Sequence, residues 1–283
     1  LKAAKDLLAK CDTIKENKHW MSTENRMLAV NSGTSGELAK DVFFAYRGYR
    51  MNYYAVTAML ARVYCWAGEY GNAYKEAKEV VDATYSTGST STASCFNFSN
   101  SLTTNRKDYN SIIMTFFKST CYEDYLPYMT KGNDVVLVVN TTNLFGDEAG
   151  ADDRNLDLFG DWDGGDIKYS FKYDIKEGTS GTDMIPAIRL SEMYYIMGEY
   201  FAYKDEFSKA GEMLDKVRYA RGISTTNLAS SIGSLEVFHT HLIKEMRREF
   251  VGEGQMFFQY KRLDQKPKDN VVFVFDKPNN EDI

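Results

Sequence analysis

The feature that most narrows the fold is a residue spacing that occurs twice in the chain. Leu60-Ala61, Tyr64, Gly68, Tyr70, Ala73 and Val80 match Met197-Gly198, Phe201, Asp205, Phe207, Ala210 and Val217, every pair offset by 137 residues, as 60 to 197 and 73 to 210 illustrate. Within each copy an apolar pair, an aromatic four residues after its first member, a turn aromatic and a small residue keep a tetratricopeptide-like spacing. The small residues let two helices approach closely, and the aromatics fill the groove beside them. Such hairpins stack, because one alone cannot bury its apolar face. The first hairpin is expected from Tyr49 to about Tyr85. Its first helix carries Ala55, Leu60, Ala61, Tyr64 and Cys65, breaks at Gly68, and is followed by a helix with Tyr70, Ala73, Ala77, Val80 and Val81.

Other segments arrange themselves around these copies. Residues 1–17 read as an amphipathic helix, with Ala4, Leu7, Leu8 and Cys11 at helical spacing, the second half of an earlier hairpin. A polar stretch from His19 to about Lys40 follows, with Asn31-Ser-Gly-Thr-Ser-Gly36 as a loop signal. After the second copy, Arg218-Tyr-Ala-Arg-Gly222 reads as a helix stop, about Leu235–Val251 as a strong helix, and Phe273–Ile283 as irregular. Roughly 100 residues separate the copies, a length that inside a compact domain is usually functional. This insertion, about Ser86–Asp183, is rich in Ser, Thr, Asn, Asp, Gly and aromatics. Strand-like pieces lie at Ile112–Phe117 and Val135–Val139, with little helical period. The expectation is one mostly α domain over 1–283, with helical-hairpin repeats at about 1–85 and 184–263 and a loop-rich insertion with short strands at about 86–183.

Composition removes several function classes. The chain carries 34 basic and 40 acidic residues, a net charge of −6, so its overall field repels a phosphate backbone and no nucleic-acid partner is expected. Apolar residues at 43% and charged residues at 26% are ordinary for a globular protein and exclude disorder. The longest apolar runs, such as Val135–Val139 and Val271–Phe275, are strand-sized and too short to span a bilayer. Four prolines permit long helices. The 20 Tyr and 17 Phe suit helix packing, with some left for contact surfaces that use an apolar face and a polar tip. The four cysteines show no CxxC pair and no zinc spacing, so neither a structural metal nor a cofactor is expected; Cys11 and Cys65 read as small core residues.

At this point several segments resemble the SusD/RagB family, outer-membrane lipoproteins of Bacteroidetes that bind nutrients, mostly glycans, beside a TonB-dependent transporter. Asn52–Tyr64 with Gly68, Tyr70 and Ala73 resembles the family's central repeat, and Asp183–Tyr195 the segment leading into its last one. Lys216-Val-Arg218 with Arg221-Gly222 resembles the family's helix end, Glu245–Leu263 its most recognisable stretch, and Asp276-Lys-Pro-Asn-Asn-Glu281 its ending. The resemblance implies a SusD-like fold, a carbohydrate ligand and a SusC-like TonB-dependent transporter as partner. It also implies attachment to the outer membrane, facing outward, through an N-terminal lipid anchor. Whole members carry a lipidated Cys, a first repeat and an N-terminal segment; since Leu1 opens directly into a helical pattern, the expectation is that such parts belong to a longer parent.

Candidate chemistry is sparse. Glu245, Glu249 and Glu253 fall at i, i+4 and i+8, and catalysis would need two such carboxylates in a cleft with their pKa values driven apart. The competing reading makes them ion pairs that fix the last helix against the repeats. His239 and His241, two apart, face different sides of a helix and suit a solvated or capping role; His19, beside Trp20, is uncommitted. The acidic loop Asp152–Asp166 holds Asp161, Asp163 and Asp166 in an order that resembles a calcium loop. The sixth and twelfth places from Asp161 are Asp166 and Lys172, where an EF-hand needs Gly and Glu, so turn-forming aspartates and a locally paired Arg154 fit better. Sugar recognition needs bidentate polar groups and a flat aromatic. Trp162 between Asp161 and Asp163, with Phe159 and Tyr169 near, supplies both.

A second aromatic group runs through Cys121–Tyr128, preceded by Phe96, Phe98 and Tyr109. In glycan-binding relatives the stacking residues come from loops outside the repeats, the location this insertion occupies. The expected ligand-binding residues are Trp162, Tyr122, Tyr125, Asp161 and Asp163, with no catalytic or metal-binding residue. A protein–protein adaptor built on the repeats, a peptide binder and a glycoside hydrolase are the alternative functions.

Overall fold

The computed structural model describes residues 1–12, 14, 21, 22, 26, 46–133, 135–162, 164–174 and 183–264. In chain order its main elements are α1 (Lys2–Cys11), α2 (Tyr53–Trp66), α3 (Tyr70–Val81), β1 (Thr84–Ser86), β2 (Thr92–Ser94), β3 (Ile112–Phe117), α4 (Cys121–Met129), β4 (Val138–Asn140), α5 (Thr141–Phe145), α6 (Asp153–Leu158), β5 (Phe159–Asp161), β6 (Ile167–Ser170), β7 (Met184–Arg189), α7 (Leu190–Ala202), α8 (Phe207–Ala220), α9 (Leu235–Glu249) and α10 (Met256–Asp264). The polar stretch at 31–36, His19, Trp20, Asp163 and everything after 264 lie outside the described residues.

The two copies are hairpins of the same shape. Asn52 starts α2 by accepting the Ala55 amide at 3.0 Å, a cap that satisfies one of the free donors of the first turn. The turn after α2 passes through Gly68 at φ +76°, and the turn after α7 passes through Asp205 at φ +59°. In both, the following amide reaches back five residues: Glu69 N to Tyr64 O at 2.9 Å and Glu206 N to Phe201 O at 3.0 Å. This is the Schellman closure of a helix C-terminus, whose left-handed residue is Gly in one copy and Asp in the other. Ala73, Val80, Ala210 and Val217 are fully buried. A side chain at Gly198 would lie 3.2 Å from Phe238 and 3.4 Å from the Ala210 carbonyl, so the small residue there is what lets α7 approach its neighbours.

The hairpins pack directly on one another although the insertion separates them in sequence: α2 packs on α3, α3 on α7, α7 on α8, and α8 on α9. Their seam is aromatic. Tyr70 stacks on Tyr203 with centroids 4.1 Å apart, and Tyr74 on Tyr200 at 4.3 Å. Much of the tyrosine content is thus spent on helix packing.

Helix α1 lies against α2, but through a different stripe from the one its apolar spacing suggests. Lys5 reaches Glu76 and Glu79 at 2.5 and 2.6 Å, Leu8 and Ala9 pack on the core, and Leu7 is 63% exposed. The inward positions 5, 8, 9 and 12 form their own i, i+3, i+4, i+7 set, which rotates Ala4, Leu7 and Cys11 outward. Cys11 is therefore exposed rather than core, whereas Cys65 is buried as expected.

The insertion is more regular than its composition suggests. Among the described residues it contains three short α-helices, α4, α5 and α6, beside its strands. Val135–Val139 is strand only from Val138. β3 pairs antiparallel with β7, which runs directly into α7 and so carries the insertion back to the repeats. A three-stranded antiparallel sheet, in the order β4–β6–β5, forms its outer part. Phe96 is buried against Tyr54, and Phe98 packs near Tyr194. These rings anchor the insertion to the helices, and Phe159 is likewise buried, in a cluster with Phe145 and Leu158.

Candidate functional site: a rigid ionic hub and an aromatic outer face

Glu245 and Glu249 of α9 meet basic residues from α6 and from the end of α8, besides Arg248 of their own helix. Arg154, from α6, bonds Asp152 at 2.9 and 2.8 Å, Glu245 at 3.0 Å and Glu249 at 3.2 Å. Arg221, just past α8, bonds Glu249 at 2.6 and 3.1 Å and Asp108 at 2.7 Å. Arg248 bonds Glu245 at 3.0 Å and Glu148 at 2.7 Å, and Arg218 bonds Asp215 and Glu148. Helix α9 ends at Glu249, so Glu253 lies beyond it in a turn and not on the same helix face; it pairs with Arg189 and Lys172 at 2.6 Å each.

Burial alone would raise the Glu249 pKa, but the Arg221 and Arg154 guanidiniums outweigh it and hold the carboxyl well below its ordinary range. The cavity beside Glu249 measures about 10 Å³, room for one water and no sugar. A carboxylate so held is a strut between helix, repeat and insertion, not a proton donor. His239 is 1% exposed, with Nε2 near the Tyr203 hydroxyl at 3.4 Å. It is a packed core residue rather than a solvated one, because its side of α9 faces α7.

The aromatic residues expected to bind ligand lie on the outer side of the insertion. Tyr122 and Tyr125 sit half-buried on α4, whose period is hidden in the sequence by its aromatic content and by Pro127 in its last turns. Tyr125 stacks on Tyr173 at 4.4 Å, so one of its faces is already used by the protein. Tyr128 at the end of the same helix is 49% exposed. Trp162 is half-buried immediately after β5, and its amide continues the ladder to Ile167 O at 3.3 Å.

Asp161 is exposed. Its carboxylate accepts the Gly164 amide at 3.0 Å, and Asp166 accepts the Thr142 hydroxyl at 2.6 Å. Asp161 therefore shapes the tight hairpin, and Asp166 ties it to α5. Lys172, the twelfth place of the would-be calcium loop, points inward to Glu249 O at 2.9 Å. Among the described residues no group of three or more His, Cys, Asp or Glu side chains could hold a metal.

Two contacts bring α4 and the hairpin together. Lys131 donates to the Asp161 carbonyl at 3.0 Å, and the Leu137 amide donates to Tyr128 O at 2.8 Å just before β4 begins. Val138 then pairs with Tyr169, which pairs with Gly160. The result is one continuous surface from Tyr128 across the sheet to Trp162. Tyr128 and Tyr169 are its less visible parts in the sequence. The alternation in Phe159-Gly-Asp161 and Ile167-Lys-Tyr-Ser170 around a Gly-Gly turn is the signal that places Tyr169 on a strand.

Residues 46–273 match the SusD family. A SusD superfamily protein from Bacteroides thetaiotaomicron is 25% identical with a TM-score of 0.54, the match covering 75% of this chain and 50% of that one. A SusD-like carbohydrate binding protein from Bacteroides vulgatus is 20% identical, TM-score 0.54, covering 77% and 46%. A laminarin binding SusD-like protein is 17% identical, TM-score 0.52, covering 76% and 55%. This chain thus spans about half the length of each. No curated protein sequence matches it. Among the described residues no helix is long and apolar enough to cross a membrane. The family match over most of the chain, together with the paired helical hairpins and their interposed insertion, shows that this protein belongs to the SusD family.

Proposed function

We propose that this protein binds a carbohydrate at the cell surface without turning it over and passes it to a SusC-like TonB-dependent transporter in the outer membrane, to which a lipid anchor holds the full-length parent. The chain forms a single SusD-like domain in this reading, with the helical repeats as frame and the insertion as the gripping part. The observation that carries it is the concentration of accessible aromatic residues on the insertion's outer face, from Tyr128 to Trp162, while Glu245 and Glu249 of α9 are locked in ion pairs. Trp162 and Tyr122 offer flat surfaces to the C–H face of a pyranose. Tyr125 contributes mainly its hydroxyl edge, and Asp161 and Asp163 accept sugar hydroxyls. Affinity is modest, because a hydrated sugar gives up about as many hydrogen bonds as it gains.

Native gels cast with a panel of polysaccharides test this reading. At least one polymer should retard the purified protein, and Trp162→Ala should weaken that retardation. A protein that no polymer retards, or whose retardation is indifferent to Trp162, contradicts it. Reducing sugar released by the pure protein would count against the non-catalytic part alone.

A further inference from the structure

Gly160 leaves a gap on the outer surface of the β4–β6–β5 sheet, and a tyrosine covers it. In the register of β5 and β6, Gly160 stands opposite Tyr169. A methyl group built on Gly160 would lie 2.6 Å from both Cε1 and Cζ of Tyr169 and 2.7 Å from its hydroxyl oxygen. Near-equal distances to Cε1, Cζ and the hydroxyl oxygen put that methyl out of the ring plane beside the Cε1–Cζ–O edge, so the hydroxyl end of Tyr169 overhangs the β5 backbone at Gly160. Gly160 is not among the residues with positive φ, so glycine serves close approach here and not a turn. Phe171 braces the tyrosine edge-on at 6.1 Å, and the Arg106 guanidinium sits 4.6 Å above Phe171.

We propose that Tyr169, its hydroxyl end resting over Gly160, is a stacking platform for a sugar ring, and that the platform works in tandem with Trp162; this rests on the carbohydrate-binding reading above. Alternation along β5 puts Trp162 on the same face as Gly160, and the Trp162–Ile167 hydrogen bond makes Trp162 the diagonal neighbour of Tyr169. Two aromatic surfaces on one sheet face, a diagonal apart, suit two successive residues of a glycan chain. With its hydroxyl end backed by Gly160 and its edge braced by Phe171, the Tyr169 ring is preorganised and loses little freedom on binding.

The test is native-gel retardation in neutral polymers (β-glucan, mannan and xylan). Four proteins are compared: wild type, Tyr169→Leu, Tyr169→Phe and Gly160→Val, each checked for wild-type circular dichroism and melting. Tyr169→Leu keeps an apolar cover on Gly160 without a flat ring, and Gly160→Val keeps the ring but lifts it. Both should weaken retardation in the neutral polymer about tenfold, while Tyr169→Phe should stay within about threefold of wild type. Folded Tyr169→Leu and Gly160→Val proteins that bind as wild type would overturn the platform and leave the carbohydrate reading standing. A wild-type protein that no polymer retards would overturn the carbohydrate reading itself, and the platform with it.

Discussion

Arg221 and Glu249 face each other through two hydrogen bonds, 2.6 and 3.1 Å long, with side chains only 2% and 3% exposed. The pair joins the end of the second hairpin to α9, and through Arg154 it also holds the insertion. Replacing Glu249 by Gln leaves two guanidiniums buried with one anion fewer, a situation that costs about 3–5 kcal/mol. Urea denaturation of Glu249→Gln should show that loss, and a change under about 1 kcal/mol would mean the pair behaves as a surface ion pair.

Acid should weaken the fold in two stages. Burial holds His239 below its ordinary value of 6.5, so below that pH the unfolded chain takes up a proton that the folded chain refuses. The stability this group contributes is present above pH 6.5 and declines as pH falls. Glu148 would be raised by burial, but Arg248 and Arg218 prevail and bring it to about 2 from 4.5. Its contribution is present above pH 4.5 and is lost as pH falls toward about 2. Melting temperature measured against pH should follow this course, and His239→Gln should flatten the limb just below pH 6.5. An unchanged limb in that variant would show that the imidazole is not the group refusing the proton.

The two hairpin turns close in the same way on different left-handed residues, Gly68 and Asp205. A Cβ added at Gly68 would meet nothing within 4 Å, so a substitution there is opposed by backbone conformation alone. Gly68→Ala should cost about 1–2 kcal/mol. Gly68→Asp should cost less, because Asp205 adopts the same conformation in the sister turn and Asp tolerates it. Chemical denaturation of the two variants checks the order; an aspartate that costs as much as alanine would break the equivalence of the turns.

The hairpins are legible in the sequence because their pattern is local: apolar, small and turn residues within about 20 positions fix two helices and the break between them. The orientation of α1 is not, since the choice between its two adjacent stripes is made by Glu76 and Glu79 some 70 residues away. The ionic hub is half visible. Glu245 and Glu249 read as ion-pair formers, but Arg154, Arg218 and Arg221 come from segments whose proximity only the fold creates. Helix α4 escapes a sequence reading because its aromatic residues mask a short helical period. In the candidate site, Trp162, Tyr122 and Asp161 stand out from composition around the turn, whereas the pairing of Tyr169 with Gly160 depends on strand register, which composition does not carry.

Hydrogen exchange with and without a saturating oligosaccharide of the polymer that retards the protein tests the division of labour most directly. Slower exchange should be confined to α4, β4 and the β5–β6 hairpin, with residues 53–81 and 190–220 unchanged. Protection centred on those paired helices, with the hairpin around Trp162 unaffected, would contradict the account.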